Sequence, residues 1–565
     1  MGYAWKIKPF DRELAERFSQ TVPRPVAVLL AQRGCRTDDD VTRFLNPALA
    51  TLRDPFELPD MDKAVARILT ALAAGEKITV FGDYDVDGVC STAMLVRILR
   101  ELGGNVSAHI PSRLNDGYGL SAEAYKSCAA AHSPALIITV DCGSNSSEAV
   151  ELARAAGVDV VITDHHEISG APASALAVVN PKCAPEHPAR ILAGVGVTFK
   201  LCHALLKTGR ENGCALCAAV ELKKYLDYVA VATVTDMVPL VGENRALVRA
   251  GFQVLENSCW PGWNALKKLT KIDGAVQCWH AGFALGPRIN AAGRTGSAGM
   301  SLELLLTDLP ARAAELAAGL DAANRERQEI ERGIVDEAVA EIDSYFDADK
   351  NFGLVIAHEG WHSGVIGIVA SRLVARYRRP VAVIGMDGAA GRGSCRSIDS
   401  FNVLDGLHQC AGLLKQFGGH SMAAGLEVTA ENLDAFKKRF NEIAAEKLKG
   451  VDLSPQIAID CAVTLDEITG DMFDAVRRAG PFGQDHPEPV WSVYGVTAQD
   501  CRILKEKHLK FTLSDGTEQR EAIGFNLAEK LPDGIIDVAF TIQENIWNGR
   551  STLQLNIKDI RAAKT

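Results

Sequence analysis

The chain has no uninterrupted run of about 18 apolar residues, so its sequence offers no membrane-spanning helix. Met1 to Phe10 carries lysines and a tryptophan but no apolar signal core, and export is not expected. Positive charge is not in excess: 60 Lys and Arg stand against 71 Asp and Glu, for a formal net charge of −11. That balance argues mildly against a nucleic-acid partner, although a metal site concentrates acid and a basic groove can coexist with an acidic total. The 14 cysteines follow no framework. The one CxxC, Cys214-Ala-Leu-Cys217, has no second pair and sits in an Ala/Leu-rich helical stretch, so it reads as core packing rather than zinc. Unorganised thiols point to a reducing compartment, hence the cytoplasm.

At 565 residues, with 47% hydrophobic and 23% charged, the chain is an ordinary soluble composition too long for one core, and several domains are expected. Its organising stretch is Gly82-Asp83-Tyr84-Asp85-Val86-Asp87-Gly88, which places three carboxylates at alternate positions between an apolar strand-like run (Ile78 to Phe81) and a helix-like segment from Cys90 to Glu101. Clustered negative charge is costly unless a cation sits among it. An EF-hand loop is excluded, because its twelfth position is Met94 where a bidentate Glu is required, and because the entering element is a strand.

A strand-then-helix rhythm follows. Leu136 to Val140 ends in Asp141, Val158 to Thr163 ends in Asp164-His165-His166, Ala175 to Val179 ends in Asn180-Pro181, and a helix from Leu222 to Thr235 brings in Asp236. The alternation predicts an α/β fold with a doubly wound parallel sheet. Strand ends then share one edge, where Asp85, Asp87, Asp141, His165 and Asp236 can converge. Carboxylate and imidazole donors without thiolate suit manganese, magnesium or iron better than structural zinc. Two divalent ions roughly 3.5–4 Å apart, bridged by Asp141, would clamp a phosphate for in-line attack.

These motifs resemble those of the DHH phosphoesterase superfamily, and the match is to its RecJ branch of single-strand-specific exonucleases over nearly the whole chain. The preamble from Arg33-Gly34 to Leu45-Asn46-Pro47 and the segment Gly194-Val-Gly196 share the resemblance. Pyrophosphatase members of the superfamily place a His ligand where this chain has Phe81, so Asp83 or water is left to complete the first metal. The resemblance implies two divalent ions, manganese preferred and magnesium possible, held by Asp83, Asp85, Asp87, Asp141, His165 and Asp236. It also implies that His166 binds the phosphate or helps protonate the leaving oxygen.

Further along, Gly286-Pro-Arg288-Ile-Asn290-Ala-Ala-Gly-Arg294 reads as a Gly-rich loop whose guanidiniums match phosphate oxygens. Residues 302–346 read as a long connecting helix interrupted near Pro310, with Asn324-Arg325-Glu326-Arg327 as solvated surface. Residues 347–450 form a second α/β lobe resembling the DHH-associated domain. His358-Glu359-Gly360-Trp361-His362 matches the HExxH pattern of zinc proteases, but a strand leads into it and Gly360 interrupts it, so the two histidines cannot share a helix face. Gly391-Arg392-Gly393-Ser394-Cys395-Arg396-Ser397 offers amides, hydroxyls and arginines, and Phe417-Gly418-Gly419-His420 leads into an expected helix at Met422. The resemblance implies substrate contact by Gly419 and His420. Arg288, Arg294, Ser394 and Arg396 are expected to hold a terminal phosphate, with Asn290 also on the substrate.

Short alternating strands from 455 onward, with turns at Asp515-Gly516 and Asn548-Gly549, predict an OB-fold β-barrel. Trp491, Phe511, Phe525 and Trp547 are its candidate base platforms, and Lys505, Lys507, Lys510 and Arg550 its backbone track. The expected domains are a preamble (1–50), the DHH domain (51–301), the connecting helix (302–346), the DHH-associated domain (347–450) and the barrel (455–565). The implied function is metal-dependent 5′-to-3′ hydrolysis of single-stranded DNA in repair and recombination, with single-strand-binding protein and a helicase as further partners and no membrane. The alternatives are a small-substrate DHH phosphoesterase acting on short oligoribonucleotides, nucleoside bisphosphates or cyclic dinucleotides, and a nucleic-acid-binding module with a decayed site. The C-terminal barrel argues against the first, and the full ligand set against the second.

Overall fold

A computed structural model describes residues 3–111, 119–295, 298–547 and 550–563; side chains at 292, 294, 295, 298, 546, 547, 550 and 551 lie outside the described set. The chain divides into two compact units, one of residues 1–290, 298–317 and 456–565, the other of 291–297 and 318–455.

In the first unit the expected parallel sheet has five strands, in the order Asn105–His109, Lys77–Gly82, Leu136–Val140, Asp159–Thr163, Ala177–Val179. The first of these was not anticipated. It lies at the sheet edge, and its half-polar Asn-Val-Ser-Ala-His carries no apolar run. Its presence fixes the winding: from Lys77–Gly82 the chain goes out to one neighbour, then returns to pair on the other side at Leu136–Val140. The reversal lies between those two strands, at whose carboxyl ends such sheets carry their sites. Phe81, Ile137, Val160 and Ile162 face the helices Ala122–His132 and Ser147–Ala155. The opposite face is covered by Val86–Glu101, itself packed on Gly194–Glu211 and Leu226–Thr235. The stretch Gly286 to Arg294, expected as a loop, is instead the helix Gly286–Thr295, entered through a π-helical turn at His280–Leu285. Its first glycine has a packing reason, because Gly286 is pressed against Thr235, where a Cβ would lie 2.3 Å from Cγ2.

The same unit holds the C-terminal barrel. Trp491–Leu504, His508–Ser514, Gln519–Gly524, Arg550–Ala562 and Ile535–Trp547 pair in that order, and the first and last pair with each other to close it, as an OB-fold requires. Trp491 and Phe511 are buried in its core and present no platform, whereas Phe525 is exposed. Asn548 and Gly549, and the side chains of Trp547 and Arg550, lie outside the described residues. The core is shared: Phe18, Leu29, Leu30 and Leu45 of the preamble pack into one cluster with Trp491, Phe511 and Phe540. The strand Ala4–Ile7 pairs with Gln456–Ile459, and Lys8 is ion-paired to buried Asp460 at 2.8 Å. The preamble and the barrel therefore fold as one body.

The second unit is built on a mixed sheet ordered Gln416–Gly419, Ala423–Thr429, Ala390–Arg396, Val381–Asp387, Leu354–Glu359. Three expectations are corrected. Gly391 to Arg396 is an inner strand whose backbone is paired on both sides, so its amides are not free for an anion. No helix starts at Met422; Gly418 and Gly419 belong to an edge hairpin closed by the His420 N–H donating to Ala423 at 2.8 Å. The connecting helix is Pro310–Tyr345, with proline at its first position where no amide is needed. Asn324 and Arg327 on it are not solvated surface: Arg327 donates to the Asn324 side chain and to buried Glu331, which also pairs with Arg372. The HExxH match is a coincidence of sequence. His358 stands on a strand, Gly360 is left-handed at φ +78, and the next helix begins only at Ile366.

Removing 456–565 alone should strip the preamble of its core. Burial of a large apolar side chain contributes about 1.5–3 kcal/mol, so exposing four consumes most of a typical domain's stability of about 5–15 kcal/mol. Residues 1–455 are expected to be poorly soluble with a broadened melt, while removing 1–50 together with 456–565 should restore a sharp one. Equal melting of the two truncated chains by circular dichroism would refute the shared core.

Candidate metal centre

The loop after Lys77–Gly82 is compressed by two glycines: a Cβ on Gly82 would lie 1.9 Å from Thr92 Oγ1, and one on Gly88 would lie 2.4 Å from the Asp83 carbonyl. That compression packs Asp83, Asp85 and Asp87 against the sheet edge. Asp85 is the N-cap of Val86–Glu101, accepting from the amides of Asp87 (2.9 Å) and Gly88 (3.0 Å) through one oxygen. Asp87 is buried, and both its oxygens are held by the N-terminus of Gly194–Glu211, through Gly194 N–H at 2.7 Å and Val195 N–H at 2.8 Å. A helix N-terminus is a natural seat for an anion. Gly194 also has to be glycine, since a Cβ would fall 2.6 Å from Asp141 Oδ1.

Asp141 is buried in a left-handed conformation at φ +61, uncommon for a non-glycine residue and of the kind that clusters at functional sites. On the next strand, Asp164 is saturated: it accepts from the His165 and His166 amides, from His166 Nδ1 (2.8 Å) and from the Ser144 amide (2.9 Å). Those bonds drive its carboxyl well below the usual range despite burial. Asp164 therefore orients His166, and it raises the affinity of that ring for a proton, against the effect of burial. His165 faces the opposite situation. Burial, reinforced by His166, lowers it to about 3, so its imidazole is neutral with one nitrogen turned to the acids.

That nitrogen, Nε2, lies 3.2 Å from Asp141 Oδ1, 3.6 Å from Asp236 Oδ2 and 3.9 Å from Asp87 Oδ2. His165 Nε2, Asp141 Oδ1 and Asp236 Oδ2 are all buried and make no hydrogen bond among the described residues. Three groups could each hold a cation: Asp83, Asp85 and Asp141; Asp87, His165 and Asp236; and Asp141, His165 and His166. Asp141 belongs to two of them. Burial and mutual repulsion push Asp87 and Asp141 well above the ordinary carboxylate range and Asp236 up to about 8. Buried acceptors that find no donor, crowded until they resist ionisation, are what a divalent cation would satisfy.

Arg288 stands on the helix Gly286–Thr295 with its guanidinium donating to Ala284 at 2.6 Å. Asn290 reaches the acidic loop itself, accepting from Val86 N–H at 3.0 Å. The side chain of Arg294 lies outside the described residues. In the second unit, Ser394 and Arg396 lie two apart on one strand, flanking Gly367 in the first turn of Ile366–Tyr377, with Arg396 donating to Ser394 Oγ at 3.0 Å. Gly419 has φ +145 and a Cβ there would meet Ala423 O at 2.5 Å, so the turn before His420 admits only glycine. Reading from sequence missed the amide clamp on Asp87 and the bracket formed by Asp164. Gly194-Val-Gly196 carried the signal for the first, but only the fold shows what its amides hold.

Three family descriptions match the chain in order: "DHH family, N-terminal domain" over 77–233, "DHHA1 domain" over 350–446 and "RecJ OB domain" over 459–559. Single-stranded-DNA-specific exonuclease RecJ of Dickeya dadantii is 37% identical, over 96% of each chain. The chain belongs to the RecJ family. The RecJ of Bacillus subtilis, with the same description, is 36% identical over 98% of this chain and 70% of its own. The crystal structure of Thermus thermophilus RecJ in complex with Mn2+ superposes with a TM-score of 0.86 at 29% identity, covering all of this chain and 80% of that one. RecJ membership accounts for the order sheet domain, second lobe, barrel.

The raised acids give the metal-stripped protein a definite pH dependence. Asp236 keeps a proton in the folded state up to about pH 8 that the unfolded chain, near the ordinary value of about 3.9, has already released. Stability from this group is thus full below about pH 4 and drains as pH rises toward 8. A divalent ion substitutes for the proton, so the rise in Tm on adding manganese to chelator-treated protein should be small at pH 5 and large at pH 8. A gain independent of pH would contradict the crowding of these carboxylates.

Proposed function

We propose that this chain is a divalent-metal-dependent exonuclease that removes nucleotides from the 5′ end of single-stranded DNA, acting in the cytoplasm in repair and recombination. The observation that carries this reading is the convergence of Asp141 Oδ1, His165 Nε2 and Asp236 Oδ2, buried and without hydrogen bonds among the described residues, at the reversal point of the sheet. It is supported by similarity over nearly the whole chain to proteins described as single-stranded-DNA-specific exonucleases. Single-strand-binding protein and a helicase are the protein partners it carries. Its domains are the preamble (1–50), the sheet domain (51–301), the connecting helix (302–346), the second lobe (347–450) and the barrel (455–565).

In this reading Asp83, Asp85, Asp87, Asp141, His165 and Asp236 would hold two divalent ions, manganese in preference to magnesium. Bound there, the ions supply activation of the attacking water and neutralisation of the phosphate charge. The amides of Gly194 and Val195 fix Asp87 at one rotamer. His166, held by Asp164, presents a ring biased toward the protonated form to the phosphate or to the leaving oxygen. Arg288, Asn290, Arg294, Ser394, Arg396, Gly419 and His420 are assigned to the substrate. For Ser394 and Arg396 the support is a guanidinium and a hydroxyl beside the first turn of a twelve-residue helix, donors suited to a terminal phosphate.

Single replacements of Asp87, Asp141, His165 or Asp236 by Ala should each abolish manganese-dependent release of nucleotides from end-labelled single strands, and pairs of them should cost no more than one. Near-normal turnover in any two would remove the two-metal assignment. Arg396→Ala should lower activity on 5′-phosphorylated strands about ten- to a hundredfold, the worth of a charge-assisted phosphate contact, and spare 5′-hydroxyl strands. Equal losses on both would mean that Arg396 supports the lobe rather than reading the strand end.

A further inference from the structure

One motif of the sequence has no part in the metal centre. Cys214-Ala-Leu-Cys217 is the chain's one CxxC. It stands where the long helix Gly194–Glu211 ends and turns, through left-handed Gly213 at φ +74, into the short helix Ala215–Ala219. Core packing accounts for one of the two thiols. Cys217 is 2% exposed and lies against Gly209, where a Cβ would come 2.2 Å from its Sγ and 2.7 Å from its Cβ. Packing does not account for Cys214, which is half-buried and accepts the Cys217 N–H through its Sγ at 3.4 Å. The same point beside Gly209 is 3.7 Å from the Cys214 Cβ, so both cysteines flank one spot on the long helix. Residues three apart in a helical turn carry their β-carbons about 5–6 Å apart, and a disulfide needs them at about 3.5–4.5 Å. A small movement of Cys214 closes that gap, and the neighbouring Gly213, with open space around it, is free to absorb it.

The two thiols also differ in kind. The Cys217 amide draws the Cys214 thiol below its ordinary value, whereas burial pushes Cys217 up to about 11. Burial pushes up every other cysteine, the exposed Cys259 and Cys501 included. Thiolate is the nucleophilic form, so Cys214 is the thiol of this chain poised to attack. We propose that Cys214 and Cys217 form a redox-active dithiol that exchanges with low-molecular-weight disulfides. The Cys214 thiolate attacks one sulfur of the small disulfide, which forms a mixed disulfide and releases one small thiolate. Cys217, one turn away, then gives up its proton and attacks Cys214 Sγ, closing the intramolecular disulfide and expelling the second small thiolate. The protein loses two electrons and two protons, and the small disulfide becomes two thiols. In a reducing compartment such a pair rests as the dithiol and closes when the poise turns oxidising.

The test uses full-length protein, reduced and then freed of reductant. It is incubated with oxidised glutathione, quenched with acid, alkylated and read by peptide mass spectrometry. The peptide holding both cysteines should lose two hydrogens and escape alkylation, and excess reduced glutathione should restore both sites. Cys217→Ala should stop at the mixed disulfide, with one glutathione on Cys214, and Cys214→Ser should carry glutathione at neither position. In the reduced wild type, limiting iodoacetamide at pH 7 should label Cys214 before Cys259 or Cys501. The dithiol is overturned if no bridge between Cys214 and Cys217 forms at any ratio of oxidised to reduced glutathione. It is overturned equally if glutathione and iodoacetamide settle first on Cys259 or Cys501. Both of these readings come from the wild type and hold whether or not Cys217→Ala folds.

Discussion

Five carboxylates and an imidazole crowded at one sheet edge, most of them held out of water, are the constraint on which the surrounding structure depends. Each acid would prefer solvent, and burial with mutual repulsion raises Asp87, Asp141 and Asp236 above the carboxylate range. The fold answers by giving several of these oxygens fixed backbone partners. Asp85 caps its own helix with one oxygen, and the N-terminus of Gly194–Glu211 receives both oxygens of Asp87. Asp164 is consumed entirely by amides and His166. One atom each on Asp141, His165 and Asp236 remains unsatisfied among the described residues, and the His165 nitrogen faces both carboxylates.

Close approach of this order requires the backbone to come nearer than side chains normally allow. Gly82, Gly88 and Gly194 are all positions where a Cβ would collide with Thr92, with the Asp83 backbone or with Asp141. The left-handed Asp141 meets the same shortage of space: its conformation turns the carboxylate back toward the neighbouring strand end, where His165 waits. Strain of about 1–3 kcal/mol at such a residue persists because the flanking amide bond to Thr163 and the buried apolar strand hold the chain on both sides.

The strands that deliver the acids were legible in sequence because burial on both faces writes them as uninterrupted apolar runs, as in Leu136 to Val140. Asn105–His109 was not legible, since an edge strand half-exposed to solvent has no such run. Glycine misled in the opposite direction. Gly286 to Arg294 looked like a loop by composition and Gly391 to Ser397 like a source of free amides, yet the first is a helix and Gly391 to Arg396 belongs to an inner strand. In both, glycine answers a packing demand from a distant segment: Thr235 for Gly286, and Leu426 and Ile384 for Gly393. Demands of that kind are set by tertiary neighbours and leave no local pattern. The crowded acids and the imidazole were readable, because they stand after strand ends and at one helix end; the amides that steady them carry no side-chain signature at all.

Shared burial also explains why preamble and barrel lie in one unit with the catalytic sheet. Arg245, on the helix Gly242–Glu256, is buried without a carboxylate partner among the described residues; burial draws its pKa down to about 10. Its guanidinium donates to the carbonyls of Arg478, Ala479 and Gly480 and lies 4.1 Å above the Phe44 ring. Those carbonyls end the helix Gly470–Ala479, where the helix dipole is negative, so a cation gains there without any counter-acid. All three bonds come from one guanidinium nitrogen, while the planar group lies on the ring. One side chain thus ties the sheet domain, the preamble and the segment leading into the barrel. The barrel is thereby held at a fixed distance from the sheet, and this buried cation is one of the devices that fixes it.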